Sequence, residues 1–270
     1  MDYLDRVKEE FTRQADTFAV HAVKADEKVE SRFQGAIGDA GKGVLLDVAC
    51  GPGVVTAALA QNAARITAFD ATPAMLEKAR ARCEEAGLAN VEFREGDAQA
   101  MPFADATFDG IVTRLAIHHF AEPAKVMSEM YRVLKPGGRA VIVDVIVSDN
   151  SEEAALQNAI EIIRDPSHIR MLAEAELFGG IKDAGFTIQD ISGWDKDREF
   201  EEWCGIANDA QRIGPLRIIA HTLARDGRHA GFGLSVNDQD ELVFLHRLNR
   251  PRIYGALKIY ATLYLHQQRV

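Results

Sequence analysis

Cysteine is nearly missing from this chain. Its three thiols, Cys50, Cys83 and Cys204, lie far apart, are odd in number and form no Cys-x-x-Cys pair. That argues against a disulfide framework and a cysteine-based zinc site, so no structural metal is expected. Long apolar runs are lacking too. The longest are strand-sized, far short of a membrane span. The start, Met1-Asp2-Tyr3-Leu4-Asp5-Arg6, is charged and has no apolar h-region, so no secretory signal is expected and a reducing cytoplasm is the default compartment. Positive charge is in short supply: 31 Lys and Arg stand against 41 Asp and Glu, a net charge of -10. A general nucleic-acid partner is therefore not expected. No internal repeats or low-complexity segments stand out.

What remains is a chain of 270 residues, 47% apolar, able to bury a sizeable core in one large domain or one domain with an insertion. Residues 4–30 read as a mostly polar helix with sparse apolar points at Leu4, Val7, Phe11, Phe18 and Val23. That is thin for a core helix, and residues 1–35 are expected to form a lid over a site or a cover for a sheet edge. From residue 44 the pattern changes. Val44–Val48 reads as a strand buried on both faces, and Arg65–Asp70, Asn90–Glu95, Phe108–Thr113 and Arg139–Val145 as the second to fifth strands. Helical sequence separates them: Val54–Ala60, a helix opened by Thr72-Pro73, and Pro123–Leu134, stopped by Lys135-Pro136-Gly137-Gly138. Such alternation predicts right-handed βαβ units and a parallel sheet with helices on both faces, across residues 36–150. Ligands in such sheets bind at the carboxyl ends of the strands.

Beyond residue 150 the alternation breaks. Residues 151–165, 170–184 and 199–226 read as helices, and Phe186–Ile191 as a sixth strand. Gly231–Leu234 and Glu241–Leu245 suggest a closing hairpin-like edge. Residues 151–250 are thus expected to supply substrate-side helices and the last two strands. Ile253–Gln268 reads as an apolar C-terminal helix within residues 251–270, which must pack on its own domain or on a second subunit. A monomer, or a homodimer through that helix, is expected.

The chemistry gathers after the first strand. Gly51 and Gly53 let the backbone turn sharply and approach a ligand beside a helix N-terminus. A dinucleotide loop uses the same geometry, but G-x-G-x-x-G fails here: Gly53 is followed by Val54, Val55 and Thr56. Asp70 ends the second strand, 17 residues after Gly53, where a carboxylate accepts hydrogen bonds from a ribose diol. Asp97, in Gly96-Asp97-Ala98, ends the third strand, where it could accept from an adenine amino group. A glycine loop followed by two strand-end carboxylates describes an adenosine site without a pyrophosphate clamp. The plainer alternative is that each Asp caps the helix after it.

Leu46-Asp47-Val48-Ala49-Cys50-Gly51-Pro52-Gly53 resembles the first motif of class I S-adenosylmethionine-dependent methyltransferases. Phe69-Asp70-Ala71-Thr72-Pro73-Ala74-Met75-Leu76 resembles the second and Gly96–Phe103 the third. Phe108-Asp109-Gly110-Ile111-Val112 and Arg132–Gly138 complete a pattern similar to the ubiquinone/menaquinone-biosynthesis-methyltransferase-like branch, over about residues 40–150. Phe11–Asp16 and Asp165-Pro166-Ser167-His168 are similar, more weakly, to uncharacterised members of that branch. The resemblance implies a Rossmann-like α/β fold: a seven-stranded, mostly parallel sheet with an antiparallel last strand, plus a helical substrate-side insertion. It implies S-adenosylmethionine as cofactor, S-adenosylhomocysteine as product, and a role for each matched residue. Gly51 and Gly53 would flank the methionyl part; Asp47 would orient the loop or the ammonium group. Asp70 would hold the ribose, with Ala71 beside it and Met75 packing on the adenine. Asp97 and Ala98 would read the adenine edge, and Arg114 would lie near the sulfonium end. One departure is Ala49, where the family often has glycine; a slightly tighter loop is expected.

Methyl transfer requires alignment of donor and acceptor and sometimes removal of a proton. His118 and His119, following the fourth strand, are the candidate bases or substrate contacts, with His118 favoured because it lies nearer the strand end. His168, in the variable region, is a candidate substrate contact. Asp144, ending the fifth strand, reads equally well as a helix cap. The expected acceptor is a small molecule methylated on O, C or N, quinone-like or a secondary metabolite. The alternatives are a non-methylating S-adenosylmethionine-binding module or a cyclase on the same scaffold, and a nicotinamide-dependent oxidoreductase, against which the missing third glycine counts.

Overall fold

The computed structural model describes residues 3–24, 29–192, 196–231, 233–237, 241–246 and 262–266. Five parallel strands form the heart of the sheet: β1 (Val44–Val48), β2 (Arg65–Asp70), β3 (Val91–Glu95), β4 (Phe108–Arg114) and β5 (Leu134–Val143). They run in the order β3-β2-β1-β4-β5. The chain winds outward from β1 in one direction, then returns through β4 to wind in the other. The crevice at the carboxyl ends of β1 and β4 is therefore the switch point where such sheets bind ligands.

Alternate residues along each strand feed opposite faces. Leu45, Val112 and Val141 join one apolar cluster, with residues from α2 (Val29–Ile37) and α3 (Val54–Ala60). Leu46, Ile111 and Ile142 join another, with residues from α5 (Pro123–Val133). Burial on both faces explains why these strands read as continuous apolar runs. Two more helices complete this half. α1 (Tyr3–Lys24) precedes α2, and α4 (Pro73–Glu85) connects β2 to β3.

The second half begins with β6 (Ile146–Val147), which pairs in parallel with β7 (Leu172–Ala173). Between them lies α6 (Ser151–Arg164), capped by Asn150, whose side chain accepts from the amides of Glu152 and Glu153. Then come α7 (Glu174–Asp183), β8 (Thr187–Ser192), β9 (Lys196–Glu199), α8 (Phe200–Ala207), α9 (Ala210–Arg225), β10 (Ser235–Val236), β11 (Leu242–His246) and β12 (Thr262–His266). β12 runs antiparallel between β5 and β8. Among the described residues no helix is long and apolar enough to cross a membrane.

Four expectations need correction. Lys135-Pro136-Gly137-Gly138 ends the helix but lies inside β5. The β4 pairing skips from Leu134 opposite Phe108 to Arg139 opposite Gly110, so the breaker is absorbed as an irregularity in the ladder. The helix read over residues 199–226 is split at Asn208, whose left-handed φ of 47° ends α8 before Asp209 caps α9. The strand read at Glu241–Leu245 exists as β11, but it pairs antiparallel with β9 and β10 in a separate three-stranded sheet. In the tail, Thr262–His266 is a strand, not the end of a helix. Thr-Leu-Tyr-Leu-His alternates with period two, which suits pairing against β5. The rest of that expected helix, residues 253–261 and 267–268, lies outside the described residues.

Candidate cofactor and acceptor cavity

At the carboxyl ends of β1 to β4 lies a cavity, with about 970 Å³ of empty space when the solvent at its mouth is included. Asp47, Gly51, Asp70, Ala71, Met75, Asp97, Ala98, Arg114 and His119 all line it; Gly53, His118 and His168 do not.

The loop after β1 is tightly wound. Ala49, Gly51 and Gly53 all have positive φ, at 54°, 53° and 75°. Ala49 therefore takes the left-handed conformation that an L-residue reaches only at a cost. A Cβ on Gly53 would meet Ala79 of α4 at 2.8 Å, so glycine allows α3 and α4 to pack closely. A Cβ on Gly51 would find only the Phe18 ring, at 4.0 Å. That space is the cavity itself. Gly53 thus acts from behind the loop, and Gly51 faces the open space.

Asp47 is buried below this loop. The Thr56 hydroxyl donates to its Oδ2 at 2.6 Å, tying α3 to β1. Burial pushes the Asp47 carboxyl up to about 7; the Thr56 bond and the Arg114 charge oppose the rise, and the Asp70 charge adds to it. Asp70 is also buried, and burial raises its pKa. Its two oxygens accept from the backbone amides of Gly51 and Thr72, each at 2.8 Å. Neither amide lies in the first turn of α4, whose N-cap is Thr72, so Asp70 does not cap that helix; its role is to brace the loop. It does not compete with a ligand role, because each carboxylate oxygen keeps a second lone pair and the residue lies on the cavity wall. Asp97 behaves similarly: its Oδ1 accepts from the Gln99 amide at 2.9 Å.

Arg114, at the end of β4, is the unusual member. Its Nε and Nη2 are buried with no hydrogen-bond partner. A buried donor without an acceptor is costly, and a charged one more so.

The histidines divide. After β4 the chain makes a short 3-10 turn, Ile117–His119. His119 lies on the cavity wall, its ring edge-on to Phe11 at 4.9 Å. His118 turns away and its Nδ1 bonds to Asp144 Oδ1. The preference for His118 as the cavity residue is therefore reversed: the turn carries the second histidine to the wall. His119 Nδ1 lies 3.1 Å from the Ser167 hydroxyl, which donates to Asp165 Oδ1 at 2.6 Å. Burial, together with neighbouring His118, lowers His119 to about 3, so the ring is neutral. His168 packs against His119, ring centroids 4.5 Å apart, and does not reach the cavity.

The roof was only partly legible in the sequence. Tyr3, Leu4, Val7, Phe11 and Phe18 of α1 line the cavity opposite the glycine loop. Four of these are the apolar points that made the helix look too thin for a core. Tyr3 lay outside that pattern. Cys50 also lies on the wall, where a packing role had been expected. No residue of α6 to α9 lines the cavity, contrary to the expectation of substrate-side helices in residues 151–250.

With this geometry in place, comparison with known proteins gives the class. A family described as "Methyltransferase domain" matches residues 46–142, the span from β1 into β5. The uncharacterized methyltransferase YcgJ of Bacillus subtilis (strain 168) is 33% identical over 201 residues, covering 73% of this chain and 78% of that protein. The demethylmenaquinone methyltransferase of Clavibacter sepedonicus is 44% identical over 98 residues, 36% of this chain and 39% of that protein. In three dimensions, the crystal structure of YcgJ superposes with a TM-score of 0.79 at 25% identity, covering 90% of this chain and 100% of the other. The chain belongs to the methyltransferase family.

Proposed function

We propose that the protein transfers the methyl group of S-adenosylmethionine to an O, C or N atom of a small, partly apolar acceptor. The observation that carries this reading is Arg114, whose Nε and Nη2 are buried without a hydrogen-bond partner on the wall of a cavity that also presents Asp70 and Asp97. Arg114 would hold the carboxylate of the methionyl part, and Asp70 the ribose diol. Asp97 and Ala98 would meet the adenine edge, with Met75 packed beside it. Asp47 would orient the loop from below, and the backbone of Gly51 would approach the cofactor closely. S-adenosylmethionine itself supplies an activated methyl group on a sulfonium. The protein's share is to align the acceptor and exclude water. His119, neutral and fixed through Ser167 and Asp165, is the candidate acceptor contact. α1 would act as the lid. The same reading takes β12 and β8 as completing a seven-stranded sheet with its last strand antiparallel. A quinone-like acceptor is favoured by similarity to the demethylmenaquinone methyltransferase and by the apolar roof.

Calorimetric titration tests the cofactor assignment. S-adenosylmethionine and S-adenosylhomocysteine should bind stoichiometrically, and NAD should not. Asp70→Ala should weaken binding by about 1–3 kcal/mol; unchanged affinity would remove the ribose assignment. Release of S-adenosylhomocysteine with demethylated quinones, against other small acceptors, then tests the substrate class.

A further inference from the structure

His118, His119 and His168 meet outside the cavity proper. All three are buried, with ring centroids 4.2, 4.6 and 4.5 Å apart. One ring nitrogen from each lies within 4.8 Å of one from each of the others. Backbone contacts create the cluster: the amides of Ile169 and Arg170 both donate to the His118 carbonyl, at 3.0 and 3.1 Å. A loop 50 residues downstream is thereby pinned to the turn after β4.

Three packed imidazoles could be ordinary core. Their outer partners say otherwise. His118 Nδ1 is held by the Asp144 carboxylate, and His119 Nδ1 by Ser167, itself bonded to Asp165. Each ring thus has one nitrogen fixed from outside, leaving Nε2 as its ligand atom. Metal-binding histidines are oriented in this way. His168 Nδ1 is buried with no hydrogen-bond partner; its nearest acidic oxygen, Glu161 Oε2, lies 3.6 Å away. Around the rings stand three carboxylates, Asp144, Asp165 and Glu161, and one guanidinium. That guanidinium, Arg164, contacts His168 Nε2 at 3.5 Å but is paired with Glu161 at 2.9 Å. Acidic groups thus outnumber the one cation around the rings.

We propose that His118, His119 and His168 form a three-imidazole site for a divalent transition-metal ion of the zinc class, at the His119 edge of the cavity. Imidazole nitrogens suit zinc and its neighbours, and ligand bonds of about 2.0–2.1 Å put tetrahedral ligands about 3.4 Å apart. Closing the cluster to that size requires the widest pair to contract by at most about 1.4 Å. Three protein ligands leave a fourth position open, the arrangement of zinc sites that bind a water or a substrate atom. The site stands independently of the methyl-donor reading.

The test uses untagged, full-length protein stripped by chelator. Titration with Co(II) should bind one equivalent and give the visible bands of a low-symmetry nitrogen-ligated ion, and Zn(II) should displace it. His168→Gln should abolish the bands while S-adenosylmethionine binding by calorimetry stays intact. Asp144→Asn, which keeps the ligands but weakens their orientation, should lower Co(II) affinity by about 10–100-fold. Failure of the wild-type protein to bind one equivalent of Co(II) or Zn(II), or unchanged Co(II) affinity in folded His168→Gln, overturns the proposal.

Discussion

At the scale of the residue, Asp47 makes the clearest commitment about pH. Its carboxyl is pushed up to about 7 in the folded chain, against an ordinary value near 4. Between those values the folded protein holds a proton that the unfolded chain releases. Stability from this group is therefore greatest below about 4, falls as pH rises toward 7, and is level above. Asp47→Asn removes the ionisation, so the denaturation midpoint of the ligand-free protein should decline less between pH 4 and 7. An identical pH slope in the variant would show that Asp47 titrates normally. The place of Asp47, Gly51, Asp70 and Asp97 on the cavity wall was legible from sequence because it is set locally: each sits at a strand end or in the turn that follows. The division between His118 and His119 was not, because a 3-10 turn of three residues decides which ring faces the cavity. Nor was the partnership of His119 with Ser167, since nothing in the sequence pairs those loops.

At the scale of the element, the contact of α3 with α4 depends on one missing methyl group. Gly53 combines a left-handed backbone with a neighbour, Ala79, that leaves no room for Cβ. Gly51 has the same sign of φ but open space. Gly53→Ala should therefore destabilise by about 2 kcal/mol or more, and Gly51→Ala by about 1 kcal/mol. Urea unfolding measures both; equal costs would mean that the Ala79 contact yields freely. The same locality explains which elements could be read in advance. β1, β2 and β4 are short, mostly apolar runs bounded by turns and buried along most of their length, which leaves no competing pattern; β3, at the sheet edge, was marked by its place between two turns. β5 contains a proline and two glycines, which locally signal an ending; its pairing with β4 resumes beyond them. β12 fits both periods as an apolar tail, and its partners, β5 and β8, are remote in sequence.

At the scale of the whole molecule, α1 is held more lightly than the sheet it covers. Its ion pairs to the body, Lys8–Glu95 at 2.9 Å and Asp16–Lys78 at 2.5 Å, involve half-exposed or exposed side chains. Such pairs contribute little. Its apolar contacts line a cavity instead of filling a core. Amides of residues 3–24 should exchange with solvent much faster than those of β1, and S-adenosylhomocysteine should slow them selectively. Exchange in α1 as slow as in β1 without ligand would show a fixed wall and not a lid.

The tether of α1 reaches beyond the cavity. Arg13 donates to the carbonyls of Ala207 and Asn208, at 2.8 and 3.3 Å, where α8 ends. On the same short helix sits Trp203, one of two tryptophans in the chain, with the Arg164 guanidinium 4.4 Å above its ring. Arg164 in turn touches His168. The position of the roof and the occupancy of the histidine cluster thus converge on one indole. If the roof moves or the cluster binds an ion, the emission of Trp203 should change, read in a Trp194→Phe background so that only this indole reports.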